Sequence, residues 1–268
     1  MSARSAFSAV CWLVYLSLGD VRGARAQGAQ GDESGPRGGF QLEGAIVSNS
    51  IWRGAALWTP RFQPGVTASA DARIEDWHGI DFTTGAWLAT PLHLVGDTRN
   101  RVSSWLVPSA GATYWLSDQL YTELAYSVYL QPAARRVDYQ HDVALVLGYR
   151  QELRPAWELT LSAECDADPV RRKGAYLHGD VALDYNGQQW GGGLTAEIGA
   201  SRYTGADALA WGLQAAMLRV HVQRAIYGAF YVRAEGVLAF SEQTAVWHES
   251  RTQAALSLSL GVDLSSPF

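Results

Sequence analysis

The chain has very little cysteine: Cys11 and Cys165 are all it carries in 268 residues. That excludes a disulfide scaffold. It has two methionines and one lysine, Lys173, so the usual helix-forming residues are thin. A coiled coil or helical bundle does not fit that composition. Charge is low at 18% and the formal net charge is −5. A nucleic-acid partner therefore has no electrostatic support and none is expected. Beyond residue 26 no apolar run approaches the ~20 residues a membrane-spanning helix needs. In place of these the chain has 27 glycines, 11 tryptophans and 12 tyrosines, with 48% hydrophobic residues.

Residues 1–26 read as a secretory signal peptide. Arg4 supplies the positive start and Ala6 to Leu18 the short apolar core. Ala24-Arg25-Ala26 gives the small-x-small pattern, with cleavage after Ala26. Losing this segment removes Arg4, Arg22, Arg25 and Asp20, leaving 18 basic against 25 acidic side chains, a balance of −7. Cys165 then stands alone, so no internal disulfide forms. Residues 27–38, polar and glycine-rich, read as a flexible leader. Residues 39–268 read as a single β-domain.

What recurs in that domain is period two. Leu256, Leu258, Leu260, Val262 and Leu264 alternate with Ser257, Ser259, Gly261 and Asp263. Trp157, Leu159, Leu161 and Ala163 alternate with Glu158, Thr160, Ser162 and Glu164. A strand sends successive side chains to opposite faces, so each segment has one oily and one polar face. Twelve such segments are expected: 40–50, 64–74, 79–90, 103–116, 120–131, 141–152, 156–165, 174–186, 189–202, 210–224, 228–240 and 254–265. Most exceed the ~5–6 residues of soluble strands and match the ~9–11 of tilted membrane strands. The segments at 103–116 and 210–224 change phase near Pro108 and near Ala215-Ala216, which suggests bulges there.

Alternation alone fits a soluble sandwich as well as a membrane barrel. Three features favour the membrane. The last strand ends on the aromatic Phe268, in phase with Leu256 to Leu264, as in chains presented to the outer-membrane barrel insertion machinery. Aromatics gather near segment ends at Trp52, Trp58, Trp77, Trp115, Tyr149, Trp157, Tyr185, Trp190, Tyr203 and Tyr227, which suits interfacial girdles. Strands this long leave edges that closure removes. The expected fold is all-β: a closed antiparallel transmembrane barrel of about twelve strands in the bacterial outer membrane, with membrane lipid as its outer partner. The polar face supplies the candidate lumen-lining residues: Glu43, Arg53, Arg73, Glu123, Arg150, Glu158, Asp180, Asp184, Glu197, Arg219, Arg233 and Glu235.

Ser48-Asn49-Ser50-Ile51-Trp52-Arg53-Gly54 resembles the element S-[ND]-Y-x-[FW]-R-G near the mature N-terminus of the TorF-type porin family. Phe82 to Trp87 (FTTGAW) is similar to a second family segment. Tyr126 to Pro132, followed by Asp138-Tyr139, is similar to a third. The likeness covers the first half of the mature chain; Ser50 stands where the family usually has an aromatic. It implies a proteobacterial outer-membrane barrel with channel activity and no catalytic residues.

Other chemistries find little footing. The histidines at 78, 93, 141, 178, 221 and 248 form no close ligand pair, so no metal site and no cofactor are expected from spacing. His248-Glu249-Ser250 is the best fragment of a nucleophile motif, but it lies in a polar connection; no catalytic residue is assigned. Gly191-Gly192-Gly193 opens a strand, so it cannot cradle phosphate at a helix N-terminus. Arg171-Arg172-Lys173 is the one basic cluster, in a connection. The leading expectation is passive diffusion of small polar solutes through a charged lumen. A structural or assembly barrel without conduction, an outer-membrane lipid-modifying enzyme and a soluble secreted β-protein are the alternatives.

Overall fold

A computed structural model describes residues 37–48, 51–52, 55–56, 64–77, 79–92, 104–131, 138–168, 174–203, 212–240 and 252–264. The expected signal peptide, Arg53, His93, the 171–173 cluster, His248 to Ser250 and Phe268 lie outside them. Fourteen strands follow in chain order. They are β1 (Arg37–Val47), β2 (Ile51–Trp52), β3 (Ala55–Ala56), β4 (Gly65–Trp77), β5 (Ile80–Pro91), β6 (Trp105–Trp115) and β7 (Leu120–Gln131). The chain continues through β8 (Asp138–Arg154), β9 (Trp157–Asp168), β10 (Gly174–Asn186), β11 (Trp190–Tyr203), β12 (Gly212–Tyr227), β13 (Phe230–Phe240) and β14 (Thr252–Asp263). β1 opens at Arg37, so the last two residues of the expected leader belong to the wall.

Twelve of these strands, all but the small β2–β3 pair, close into an antiparallel barrel in which every neighbour in sequence is a neighbour in space. β1 meets β14 to complete it. Each expected segment corresponds to one strand, two of them with identical bounds (120–131 and 174–186). Closure satisfies the backbone groups that an open sheet would leave bare in hydrocarbon.

The oily stripe faces outward. Leu258 is 57% exposed, whereas Glu197 is 7% exposed and packed inside. Leu42, Ile46, Leu124, Leu145, Leu147, Val181, Ile198, Leu218, Val220, Leu238 and Leu256 share the outer face. A belt of bare leucine, isoleucine and valine around a whole barrel is stable against acyl chains, not against water. The fold is therefore a transmembrane barrel.

The two ends differ. At one end the strands are joined tightly, by residues 78–79, 116–119, 155–156, 187–189 and 228–229, and β1 begins and β14 finishes there. At the other end the connections are longer, for example 48–64, 92–104 and 241–251. Exposed Phe40, Trp77, Tyr114, Trp157, Tyr185, Trp190, Tyr227 and Phe230 ring the tight-turn end. Trp77 packs on Phe82 at 5.4 Å between centroids, Trp157 on Tyr185 at 5.2 Å, and the Arg224 guanidinium lies 5.0 Å over the Trp190 ring. Amphipathic rings and a snorkelling arginine suit the headgroup layer. Trp115 is not part of this ring: its indole N–H donates to Asp81 Oδ2 at 2.8 Å on the inner face.

The bulge expectations divide. In β12 the pairing jumps from Gly199↔Ala215 to Ala200↔Leu213, so Gln214 is the extra residue, beside Ala215. At Pro108 there is no jump. Ala86↔Pro108 and Leu88↔Leu106 keep one register, and Trp105 and Val107 simply point inward although they are apolar. The apparent change of phase there is a change in what the interior contains.

Candidate functional site: the barrel interior

Parity and register assign the inner face. On β4 it carries Ser69, Asp71 and Arg73; across the ladder, Asp71 pairs Gly85 and Arg73 pairs Thr83. On β9 and β10 it carries Glu158, Ser162, Glu164 and Asp166 against Asp184, Asp180, His178 and Tyr176. Of the twelve candidate lumen residues, eleven stand on this face: Glu43, Arg73, Glu123, Arg150, Glu158, Asp180, Asp184, Glu197, Arg219, Arg233 and Glu235. Arg53 lies outside the described residues.

Most of these charges meet partners. Arg150 Nη2 is 2.5 Å from Glu158 Oε2 on the neighbouring strand. Arg233 Nη2 donates to Glu235 Oε2 at 2.9 Å, and Arg219 Nε lies 3.8 Å from the other oxygen of the same carboxylate. Arg73 Nε is 3.2 Å from Glu75. Tyr231 donates to Glu43 Oε2 at 2.6 Å and accepts from Gln41 Nε2 at 2.6 Å. Glu123 accepts from Thr113 Oγ1 at 3.1 Å. Room for two of the rings comes from glycine: Tyr231 lies against Gly261 and Tyr121 against Gly148, where any Cβ would collide with the ring.

The interior is graded along the barrel axis. Toward the tight turns it is ionic and polar, with Arg73, Glu75, Asp81, Arg150, Glu158, Asp184, His221 and Arg233. Toward the long connections it is apolar over much of the circumference. Val47, Trp87, Ala89, Trp105, Val107, Tyr129, Met217, Ala239 and Ala255 are all buried there. Trp105 is 2% exposed and Val107 0%, so the interior is closely filled at this level. Period-two reading misses this apolar zone because it assigns every apolar residue to the lipid side.

One polar cluster interrupts the apolar half. Glu164 and Asp166 on β9 and His178 on β10 are all buried, and one ligand-capable atom from each lies within 4.8 Å of the others. His178 Nε2 is 3.3 Å from Glu164 Oε2, and His178 Nδ1 is 3.8 Å from Asp180 Oδ1. Ser162 Oγ donates to that same Asp180 oxygen at 2.6 Å, and the Tyr176 ring stacks on the imidazole at 5.2 Å. The linear spacing of the histidines gives no hint of this. The signal is two acids at i and i+2 on one strand and a histidine directly across the ladder, and it needs the register to be seen. Ser162 donates to Asp180, which is not the serine–histidine contact of a hydrolytic triad.

Neither a protein-family model nor a curated protein matches the sequence. Solved structures do match in fold. LpxR from Salmonella typhimurium superposes with a TM-score of 0.52 at 8% identity, covering 83% of this chain and 99% of that one. An outer-membrane channel from Pseudomonas putida F1 gives 0.48 at 10% identity, over 85% and 94%. The KdgM porin gives 0.48 at 11%, over 83% and 98%. At these identities the likeness concerns architecture: the chain has the fold of outer-membrane β-barrels.

Proposed function

We propose that the chain is a non-enzymatic channel of the bacterial outer membrane, passing small polar solutes and ions by diffusion. The observation that carries this reading is the graded interior: ionic and polar toward the tight turns, apolar and aromatic toward the long connections. Tight turns and chain ends face the periplasm in bacterial barrels, so the ionic end lies on that side. Charged walls concentrate ions, and an apolar narrowing throttles water-borne traffic. The resemblance of residues 48–54 to the TorF-type porin element agrees with it.

A second reading, a barrel that supports the membrane without conducting, is favoured by the near-complete burial of Trp105 and Val107. Planar-bilayer recording separates the two. The wild-type barrel gives small unitary currents and Trp105→Ala raises them severalfold, with folding verified by heat-dependent gel mobility. Silence from both proteins establishes the second reading.

A further inference from the structure

We propose that Glu164, Asp166 and His178 hold one divalent transition-metal ion between β9 and β10, inside the barrel wall. The 3.3 Å between His178 Nε2 and Glu164 Oε2 suits two donors sharing one ion. Bonds of about 2.0–2.2 Å at near-tetrahedral angles place donors roughly 3.4 Å apart. Asp166 offers a third donor from the same strand face as Glu164. Imidazole with two carboxylates suits zinc or manganese better than the all-oxygen shells of magnesium and calcium.

Two independent features support the assignment. Metal-bound histidines commonly direct their other nitrogen at a carboxylate, which fixes the tautomer. Asp180 Oδ1 lies on the Nδ1 side of His178 at 3.8 Å, somewhat beyond direct hydrogen-bond distance, and accepts from Ser162. The second feature is charge. Among the described residues, the buried carboxyl and basic side chains are six acids (Asp71, Glu123, Asp142, Glu164, Asp166 and Glu197) against two bases, His178 and Arg219. Burying that much negative charge is costly without cations. A divalent ion at the one place where two of these acids meet a histidine offsets part of it.

The cluster is closed off, with the His178 and Glu164 side chains 0% and 2% exposed, so loading belongs to folding. The full barrel is refolded with Zn2+, dialysed against chelator-treated buffer and assayed for metal content. The expected result is one zinc per folded chain, reduced at least tenfold in His178→Gln and in Glu164→Gln and unchanged in the outward-facing His141→Gln. Zinc-edge anomalous scattering from wild-type crystals locates the ion without any variant, should the substituted barrels not fold. Folded wild-type protein without zinc, an ion elsewhere in the crystal, or equal retention by His178→Gln overturns the proposal. Displacement by equimolar Mg2+ overturns the transition-metal assignment.

Discussion

At the scale of single residues, the barrel is decided by which side chain meets which solvent. Leu258 sits midway along β14 with its side chain outward. Leu258→Arg should cost about 2–4 kcal/mol, the price of an arginine near the bilayer midplane. Urea titration of the barrel in phospholipid vesicles reads that loss, whereas Leu264→Arg, one residue past the strand, should lose far less. The outward set was legible in the sequence because leucine and valine alternate with serine, glutamate and glycine. The inward apolar set was not. Trp105, Val107 and Trp87 have the chemistry of a lipid face and the parity of the lumen, and only pairing to the neighbouring strands decides between these. The same holds for His178, whose partners come from position 164 on the preceding strand and from its own strand at 180.

At the scale of the element, local backbone demands surface at the turns and bulges. Gly79 and Gly228 adopt positive φ in the turns that join β4 to β5 and β12 to β13. In the β8–β9 turn the same left-handed region is occupied by Ala156, with φ of 68°. An L-residue with a Cβ pays roughly 1 kcal/mol there that glycine does not. Ala156→Gly should therefore stabilise the barrel by up to about 1 kcal/mol, seen as a higher urea midpoint at unchanged slope. Strand bounds were legible to within a few residues, since turn residues and phase mark them. A bulge was not distinguishable from a reversed polarity. Near Ala215 the phase change is a true extra residue, Gln214. Near Pro108 it is an unbroken strand carrying tryptophan and valine inward.

At the scale of the whole molecule, closure rests on β1 meeting β14. Ala45 and Ser259 are direct partners across that join, both facing inward. Ala45→Cys with Ser259→Cys should oxidise to an intramolecular disulfide, since directly paired residues lie within disulfide reach. Faster gel migration that reverts on reduction reports it. Pairing Ala45→Cys with Ser257→Cys, two residues away, should cross-link poorly. The strand count and antiparallel order were legible because hairpin succession leaves few other arrangements. Which end of the interior is apolar was not, because it depends on the stagger of twelve ladders at once.

The join between the first and last strands is also the shortest ladder of the wall, with seven registered pairs, Gln41 to Val47 against Asp263 to Ser257. Toward the long connections it is stitched by Ser48, which donates its N–H to the Leu256 carbonyl and accepts the Leu256 N–H on its hydroxyl. Toward the tight turns, Arg37 to Gly39 lean only on β4. Fraying of the cylinder therefore starts at its tight-turn lip and travels along a zip that Ser48 stops, so the resemblance motif begins with the clasp that keeps the cylinder shut.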